Sequence, residues 1–218
     1  NNNSIMKSEK TIGVLELGTL NLKCIISEIN ENESSKVLGA SLVESKGIHN
    51  GVIVNLDEAS QSIRNCLTDV EKESKITLKN INVVLEPPEF LCTRISKYRK
   101  IDNATIQKDD ISYLLKEAKN QITLNDPRQS IVHIFNYNYV IDGKEFKSKP
   151  IGVHADFFYN DLTIITLPKN ILRNINQALI NCDIEIGKFI SGSFALGVEC
   201  LTATNLELGS TIIDIGHE

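Results

Sequence analysis

Two short apolar segments, one near each end of the chain, finish with an acid, an apolar residue and a glycine. The first places Glu16 shortly before Gly18, and the second places Asp214 shortly before Gly216. Because glycine has no Cβ, a strand that ends this way lets backbone N–H groups and the acid approach a phosphate and its metal ion closely. Two such turns, separated by most of the chain, predict a cleft that holds nucleotide phosphates between two hairpins.

The composition of the chain excludes several classes of protein. With 218 residues, 41% of them hydrophobic, the chain can bury a core as one large domain or two modest ones. Its formal net charge of -5 argues against a nucleic-acid-binding surface, which normally carries a basic excess. No apolar run reaches the roughly 18 residues that span a bilayer, and the N-terminus lacks the apolar region of a signal peptide. We therefore expect a cytoplasmic protein that binds no nucleic acid.

Cysteine and histidine spacings predict no metal site and no nucleophilic pair. The cysteines show no C-x-x-C spacing and mostly lie within apolar periodic segments, and the histidines show no ligand spacing. We interpret the cysteines as buried thiols of a reducing compartment. The only basic cluster, residues 94–100, is interpreted as the solvated face of an exposed strand.

The hydrophobic periodicity divides the chain into three sections. In the first section, the predicted strands cover residues 11–17, 21–29, 37–43 and 81–85. A glycine-containing turn over residues 18–20 joins the first two strands. Gly47 and Gly51 are expected to shape a polar loop rather than to contact a ligand, and Asp57 is predicted to cap the helix that follows this loop.

The second section begins at the Pro87-Pro88 pair. Its predicted elements are an extended segment over 90–96, a helix capped by Asp109 or Asp110, and strands over 131–141 and 156–167. Asp142-Gly143 predicts a hairpin turn, and residues 149–152 predict a second turn. The section therefore reads as a small α+β subdomain inserted into a larger domain.

The third section returns to alternating helices and strands. Pro168 is predicted in the first turn of a helix, where its missing N–H costs nothing. The elements predicted after it are a strand over 184–190, a helix over 194–204 and a strand over 211–215. The first and third sections together predict a mixed sheet flanked by helices and interrupted by the inserted subdomain.

Several of these segments resemble the FtsA family of bacterial cell-division proteins. Besides the first hairpin, the matching residues are the loop SKGIHNGVIVNL at 45–56 and the turns VIDG at 140–143 and KPIGV at 149–153. The resemblance continues through residues 174–190 and 208–216, so it covers nearly the whole chain. The loop and the pair of turns are specific to this family among actin-like ATPases, whereas the turns of acid, apolar residue and glycine are shared by all of them.

This resemblance implies an actin/Hsp70-like (ribonuclease-H-like) α/β fold. Residues 6–83 and 167–218 would form a discontinuous actin-like subdomain, and residues 84–166 an inserted α+β subdomain that makes protein–protein contacts. The family implies a nucleotide cleft for ATP and Mg²⁺, self-association into filaments and an adaptor role. Its members join the FtsZ polymer to the inner face of the cell membrane at the division site and contact later division proteins. We expect membrane contact only through a C-terminal half that this sequence does not contain.

The predicted cofactor contacts combine the two turns with the family pattern. Glu16 and Asp214 would hold Mg²⁺ through water molecules, which is the usual way this ion is bound. Backbone N–H groups of the first turn would donate to phosphate oxygens. The residues predicted to bind the cofactor are Glu16, Gly18, Thr19, Leu20, Asn21, Asp214 and Gly216.

The chain departs from the family pattern at positions that matter for hydrolysis. Asn21 stands where the family usually has a lysine, so it can donate to a phosphate but cannot neutralise it. His217 and Glu218 replace two glycines after the second turn, and Gly192-Ser193 lacks the acid that often begins the connecting helix. We therefore expect at most a weak ATPase and assign no catalytic residue.

Two other functions stay open at this stage. An actin-like enzyme, such as a sugar kinase or a chaperone ATPase, would share both turns but would need a catalytic acid and would lack this insertion. A pilus-assembly scaffold of the same fold would share the insertion. We also expect the sequence to be part of a longer protein, because its only methionine is Met6 and it stops shortly after Gly216.

Overall fold

The computed structural model describes residues 10–30, 34–85 and 90–191, which divide into two units. The first unit contains the described residues before position 86 and those from 173 to 191, and the second contains those from 90 to 172. The predicted helix over 194–204 and strand over 211–215, with Asp214 and Gly216, lie outside the described residues.

The described residues form eleven strands and three helices. The strands are β1 Lys10–Leu17, β2 Asn21–Ile29, β3 Ser35–Glu44, β4 Ile48–His49, β5 Val52–Ile53, β6 Asn80–Leu85, β7 Leu91–Thr105, β8 Gln129–Ile141, β9 Lys144–Phe146, β10 His154–Pro168 and β11 Glu185–Ser191. The helices are α1 Leu56–Ser74, α2 Lys108–Asn125 and α3 Lys169–Ile180.

The first unit is built on a mixed five-stranded sheet with the order β11-β6-β1-β2-β3. The strands β1, β2 and β3 pair antiparallel, whereas β6 pairs parallel with both β1 and β11. Strand β11 therefore joins a sheet whose other strands precede it by about a hundred residues or more. The mixed sheet and flanking helices agree with the α/β class that the alternation of elements predicts.

Helix α1 covers the sheet of the first unit on β2 and β3. Its buried residues recur with the helical period, as expected for one face packed against a sheet. They are Ala59, Ser60, Ser62, Ile63, Cys66, Leu67 and Val70. On the sheet, Leu22, Cys24 and Ile26 of β2 are fully buried and alternate with more exposed residues, because successive side chains of a strand point to opposite faces.

The N-cap of α1 is Asn55, so the predicted cap at Asp57 is wrong. Asn55 has an extended backbone, and its side-chain oxygen accepts a hydrogen bond from the backbone N–H of Glu58 at 3.1 Å. Asp57 lies inside the first helical turn. Its carboxylate is favourable there because the helix N-terminus carries partial positive charge. Aspartate is therefore common both at the cap and in the first turn, and the sequence alone does not distinguish the two positions.

Substituting Asn55 and Asp57 one at a time should distinguish the helix cap from the charge interaction with the helix end. We expect Asn55→Ala to lower the free energy of unfolding by about 1 kcal/mol, because an N-terminal N–H of the helix loses its acceptor. The matched variant Asp57→Ala removes only the charge interaction with the helix end, about 0.5 kcal/mol. Urea unfolding followed by circular dichroism measures both values, and the opposite ranking would contradict the assignment of the cap.

The second unit is built on an antiparallel four-stranded sheet with the order β7-β10-β8-β9. Helix α2 packs on this sheet, and two apolar clusters fill the space between them. One cluster contains Ile95, Ala118, Ile122, Ile134, Leu162 and Ile164, and the other contains Ile106, Leu114, Tyr139, Ile141, Ala155 and Phe158. An α+β arrangement is therefore present in this unit.

Two boundaries of the second unit differ from their predictions. Strand β7 continues to Thr105, well past the predicted end at residue 96, because its polar half pairs with β10 as an edge strand. Helix α2 is capped by Gln107 rather than by Asp109 or Asp110. The carboxylate of Asp110 reaches back and accepts a hydrogen bond from the backbone N–H of Gln107 at 2.7 Å.

The turn at Asp142-Gly143 is confirmed as the hairpin between β8 and β9. Both residues have positive φ values, 46° and 82°, which is the geometry of a two-residue hairpin turn. The Asp142 carboxylate also accepts hydrogen bonds from the backbone N–H groups of Asp156 and Phe157. Pro168 ends β10 immediately before α3 and so lies just outside the helix turn in which it was predicted.

The prediction of buried thiols holds for two of the described cysteines. Cys24 and Cys66 are fully buried and Cys182 is half-buried. For Cys92 the prediction is wrong, because this residue is exposed on β7 and is disulfide-bonded. Burial, with smaller contributions from the charges of Cys66 and Glu71, raises the pKa of the Cys24 thiol from 9.0 to about 12.

The Cys24 thiol should make stability depend on alkaline pH. In the unfolded chain this thiol ionises above pH 9, whereas in the folded protein it stays neutral until about pH 12, so stability is lost as the pH rises through that window. The loss is about 1.4 kcal/mol per pH unit for one proton. We expect urea unfolding between pH 8 and 10.5 to show a decline about 2 kcal/mol larger in the wild type than in Cys24→Ala. Equal declines would contradict this prediction.

Candidate functional site

The turn between β1 and β2 brings the backbone into close contact with itself. A Cβ at Gly18 would lie 2.4 Å from the carbonyl oxygen of Asn21, so no side chain fits there without opening the turn. The close approach of the Asn21 carbonyl, and not the backbone conformation, requires a glycine here, because the φ of Gly18 lies outside the left-handed region. Glu16, one pair before the end of β1, is exposed and stands opposite Lys23 of β2 and Val84 of β6 in register.

A loop from a distant part of the chain is tied to this turn. The Thr19 hydroxyl accepts a hydrogen bond from the backbone N–H of Asn50 at 3.1 Å and lies 3.4 Å from the Asn50 side-chain oxygen, to which it donates. A second bond, from the N–H of Ser45 to the carbonyl oxygen of Leu20 at 2.9 Å, holds the end of β3 against the same turn. The turn is thus fixed by tertiary contacts as well as by its own glycine.

The loop keeps its shape through two glycines with positive φ. Gly47 has φ 75° and Gly51 has φ 73°. The carbonyl oxygen of Gly47 accepts hydrogen bonds from the N–H groups of Val54 and Asn55 at 2.8 and 3.1 Å. Gly47 therefore shapes the loop, as predicted, and it also places the helix cap Asn55.

Together the turn and the loop enclose a small cavity. Its volume is about 180 Å³, and its lining residues are Glu16, Leu17, Gly18, Thr19, Asn50, Gly51 and Val84. Small-molecule sites usually occupy about 300 Å³ or more. A space of this size accommodates a phosphate group or a hydrated cation, whereas a whole nucleotide needs further walls.

The structure brings together three of the predicted cofactor residues. Glu16, Gly18 and Thr19 line the cavity. Leu20 is 78% exposed at the tip of the turn, and Asn21 is exposed at the start of β2; neither lines the cavity. Asp214 and Gly216 lie outside the described residues, so the second predicted turn has no structural description.

Sequence reasoning missed four lining residues, which are Leu17, Asn50, Gly51 and Val84. Asn50 and Gly51 were assigned to a loop without a ligand role, and Leu17 and Val84 were assigned only to strands. The Asn-Gly pair at 50–51 was the available signal, since this dipeptide favours tight turns with positive φ. Val84 carried no signal, because its position beside Glu16 depends on the parallel pairing of β1 with β6.

The charge of the cavity is negative. Glu16 is the one charged residue among the described residues that line it, and no lysine or arginine lines it. No group of three or more histidines, cysteines or acids that could hold a metal ion occurs among the described residues. A cation at this position would therefore have Glu16 as its carboxylate and would complete its coordination shell with water, as Mg²⁺ usually does.

The hydrogen bonds between Thr19 and Asn50 should control the mobility of the loop. We expect Thr19→Val to lower the free energy of unfolding by about 1 kcal/mol. It should also speed amide hydrogen exchange at Asn50, because that N–H loses its acceptor. Thr11→Val, an exposed substitution on the same strand pair, serves as control. Unchanged exchange at Asn50 in Thr19→Val would show that the loop is held by other contacts.

The basic cluster at residues 94–100 makes more internal contacts than a solvated face implies. Arg99 forms an ion pair with Asp110 at 3.3 Å, and its guanidinium lies 4.4 Å from the centroid of the Tyr113 ring. Lys100 forms an ion pair with Asp102 at 3.2 Å. These charges therefore stabilise the contact between β7 and α2 and the tip of β7.

Comparison with known proteins gives a family match within the second unit. Residues 91–166 match the family model described as the SHS2 domain inserted in FtsA. Over 97% of its length the chain is 28% identical to the cell division protein FtsA of Buchnera aphidicola subsp. Schizaphis graminum, and over 93% it is 24% identical to that of Streptococcus pneumoniae. The chain is similar to FtsA over nearly its whole length. The predicted resemblance to this family is therefore confirmed.

The chain spans about half the length of these relatives, 50% and 44% respectively. Its fold is similar to a solved structure described as the PilM-PilN type IV pilus biogenesis complex, with a TM-score of 0.56, 9% identity, and coverage of 87% of this chain and 49% of the other. At that identity the similarity concerns the fold alone. The predicted actin-like fold class is confirmed. None of the helices in the described ranges is long and apolar enough to cross a membrane.

Proposed function

We propose that this chain is the nucleotide-binding part of a cell-division adaptor similar to FtsA. In this role the whole protein self-associates into filaments and links the FtsZ ring to the inner face of the cell membrane and to later division proteins. The observation that carries the proposal is the similarity to FtsA over nearly the whole chain, with the SHS2 domain at residues 91–166. Membrane contact, in this proposal, comes from sequence beyond these 218 residues.

The proposed ligand is ATP with Mg²⁺, bound at the cavity of the first hairpin. Glu16 would orient the water shell of the Mg²⁺ ion, and backbone N–H groups of Gly18, Thr19 and Leu20 would donate to phosphate oxygens. Asn21 would contribute a neutral donor. Asp214 and Gly216 are proposed to form the opposing turn. The position of Glu16, Gly18 and Thr19 around one phosphate-sized cavity supports this proposal.

Turnover is proposed to be very slow. Phosphoryl transfer depends on positioning and on stabilising the charge that spreads over the phosphate oxygens. The described cavity supplies no positive side chain, and its one charged group, Glu16, is negative. Losing a single preorganised donor typically costs about 3 kcal/mol, or a hundredfold or more in rate. The chain is therefore proposed to bind nucleotide chiefly for assembly and to be at most a weak ATPase.

The alternative of a pilus-assembly scaffold has less support. Its solved neighbour is only 9% identical, whereas the FtsA relatives are 21–28% identical over at least 93% of the chain. An actin-like kinase would need a catalytic acid, for which the described cavity offers no candidate besides Glu16.

Titration calorimetry with Mg·ATP tests the nucleotide site. We expect weak, Mg²⁺-dependent binding by the wild type, no measurable phosphate release, and binding about threefold to tenfold weaker in Glu16→Gln, because the Mg²⁺ shell loses its anionic partner. Glu28→Gln, at the other end of the same strand pair, is the matched control and should bind as the wild type does.

Two results would contradict the proposal. Steady phosphate release by the wild type would show an active ATPase rather than a nucleotide-dependent adaptor. Binding that is the same with and without Mg²⁺, and equal in both glutamate variants, would show that the hairpin cavity is not the phosphate site.

A further inference from the structure

The second unit contains a larger cavity of its own between α2 and the outer half of the sheet. Its volume is about 370 Å³. One wall is apolar and is formed by Ile111 and Leu115 of α2 with Ile134 and Leu162 of the sheet. The volume reaches the lower range of small-ligand sites, about 300 Å³ and above. This space therefore admits one large apolar side chain together with a few backbone atoms.

Two asparagine side chains on neighbouring strands face this cavity. Asn136 of β8 and Asn160 of β10 both line it, and the Oδ1 atom of each is buried without a hydrogen-bond partner. Asn160 is only 2% exposed. Buried carboxamides are almost always paired, because leaving one unpaired costs stability. Two unpaired Oδ1 atoms in one cavity therefore indicate a ligand that donates hydrogen bonds to them.

The mouth of the cavity is basic. Lys147 and Lys149, on the segment that follows β9, are exposed and line the cavity together with Ser148. The ammonium of Lys147 also lies 5.4 Å from the centroid of the Tyr137 ring, which is outside the cavity lining. No acid occurs among the described residues that line this cavity. A ligand that matches these lysines carries carboxylates next to the part that enters the cavity.

We propose that this cavity binds an acidic peptide segment of a partner protein. An apolar side chain of the peptide enters between α2 and the sheet, its backbone amides pair with Asn136 and Asn160, and flanking carboxylates lie against Lys147 and Lys149. This inference gives a partner chemistry to the adaptor role and rests on that proposed function.

A peptide explains the arrangement better than a small anion does. A carboxamide offers one acceptor and a pair of donors, which is the complement of a peptide backbone group. A small anion would be held at the rim by the lysines and would leave both the apolar wall and the buried Oδ1 atoms without partners. Only an extended ligand satisfies the wall, the carboxamides and the rim at once.

Selection from random hexapeptides displayed on phage, with the full chain as target, tests the proposal. We expect enrichment of sequences with one large apolar residue flanked by Asp or Glu. The strongest peptide is then synthesised, and its affinity is measured by fluorescence anisotropy. The double variant Lys147→Glu/Lys149→Glu should weaken binding at least tenfold. The matched double variant Lys116→Glu/Lys144→Glu changes two exposed lysines outside the cavity and should bind within about twofold of the wild type.

The Asn160→Leu variant tests the proposal independently, because a purely structural role of Asn160 predicts a different change in melting temperature and in peptide affinity. Replacing an unpaired buried amide by an apolar group of similar size should raise the melting temperature while weakening the peptide at least tenfold. A lower melting temperature with unchanged peptide affinity would assign Asn160 to the core and overturn the proposal.

The remaining outcomes also decide the question. No enrichment, enrichment of basic peptides, or acidic peptides that bind the Lys147→Glu/Lys149→Glu variant as tightly as the wild type would each reject the site. Mg·ATP titration of the same samples separates this result from the nucleotide proposal. Loss of peptide binding with intact Mg·ATP binding rejects the peptide site alone, and absent Mg·ATP binding with specific peptide capture rejects only the nucleotide site.

Discussion

The first unit depends on one strand, β6, which pairs parallel with β1 on one side and with β11 on the other. Ile81 and Val83 of this strand are fully buried, whereas Asn82 and Val84 on its other face are partly buried. Without β6, the β1–β2–β3 meander would have an open edge, and β11 would have no partner. Its register also sets the site, since the pairing of Glu16 with Val84 places a β6 residue in the wall of the hairpin cavity.

The site itself combines one local feature with one long-range feature. The local feature is the turn at Gly18, where the close approach of the Asn21 carbonyl excludes any side chain. The long-range feature is the hydrogen-bonded contact between Thr19 and Asn50, which are 31 positions apart. A turn alone would be mobile at its tip. The loop between Gly47 and Gly51 restrains it from one side, and residues of the turn and of the loop line the phosphate-sized cavity together.

The second unit has its own core and its own cavity. Its antiparallel sheet and α2 enclose two compact apolar clusters, which suffice for folding. The unpaired Oδ1 atoms of Asn136 and Asn160 in the cavity, and of Asn138 outside it, reduce the stability that this packing provides. Natural proteins retain such destabilising groups mainly where binding needs them. In this unit, the residues of the two apolar clusters stabilise the fold. The polar residues of the cavity are instead available to bind a partner.

The sequence by itself determined the class of fold, the resemblance to the FtsA family and most of the elements. Alternating apolar residues identified β1, β2 and β8, and the Asp142-Gly143 pair identified its hairpin, because these signals lie within a few neighbouring residues. The tertiary structure alone decided the extent of β7, the cap at Asn55 and the cavity residues Asn50 and Val84. The extent of β7 and the cavity residues depend on pairing or contact between distant segments, and the cap depends on the preceding loop, where the Gly47 carbonyl oxygen accepts from the Asn55 N–H. Periodicity and turn residues report local conformation, whereas which strand lies beside which, and so which side chains meet, is decided only when the sheet closes.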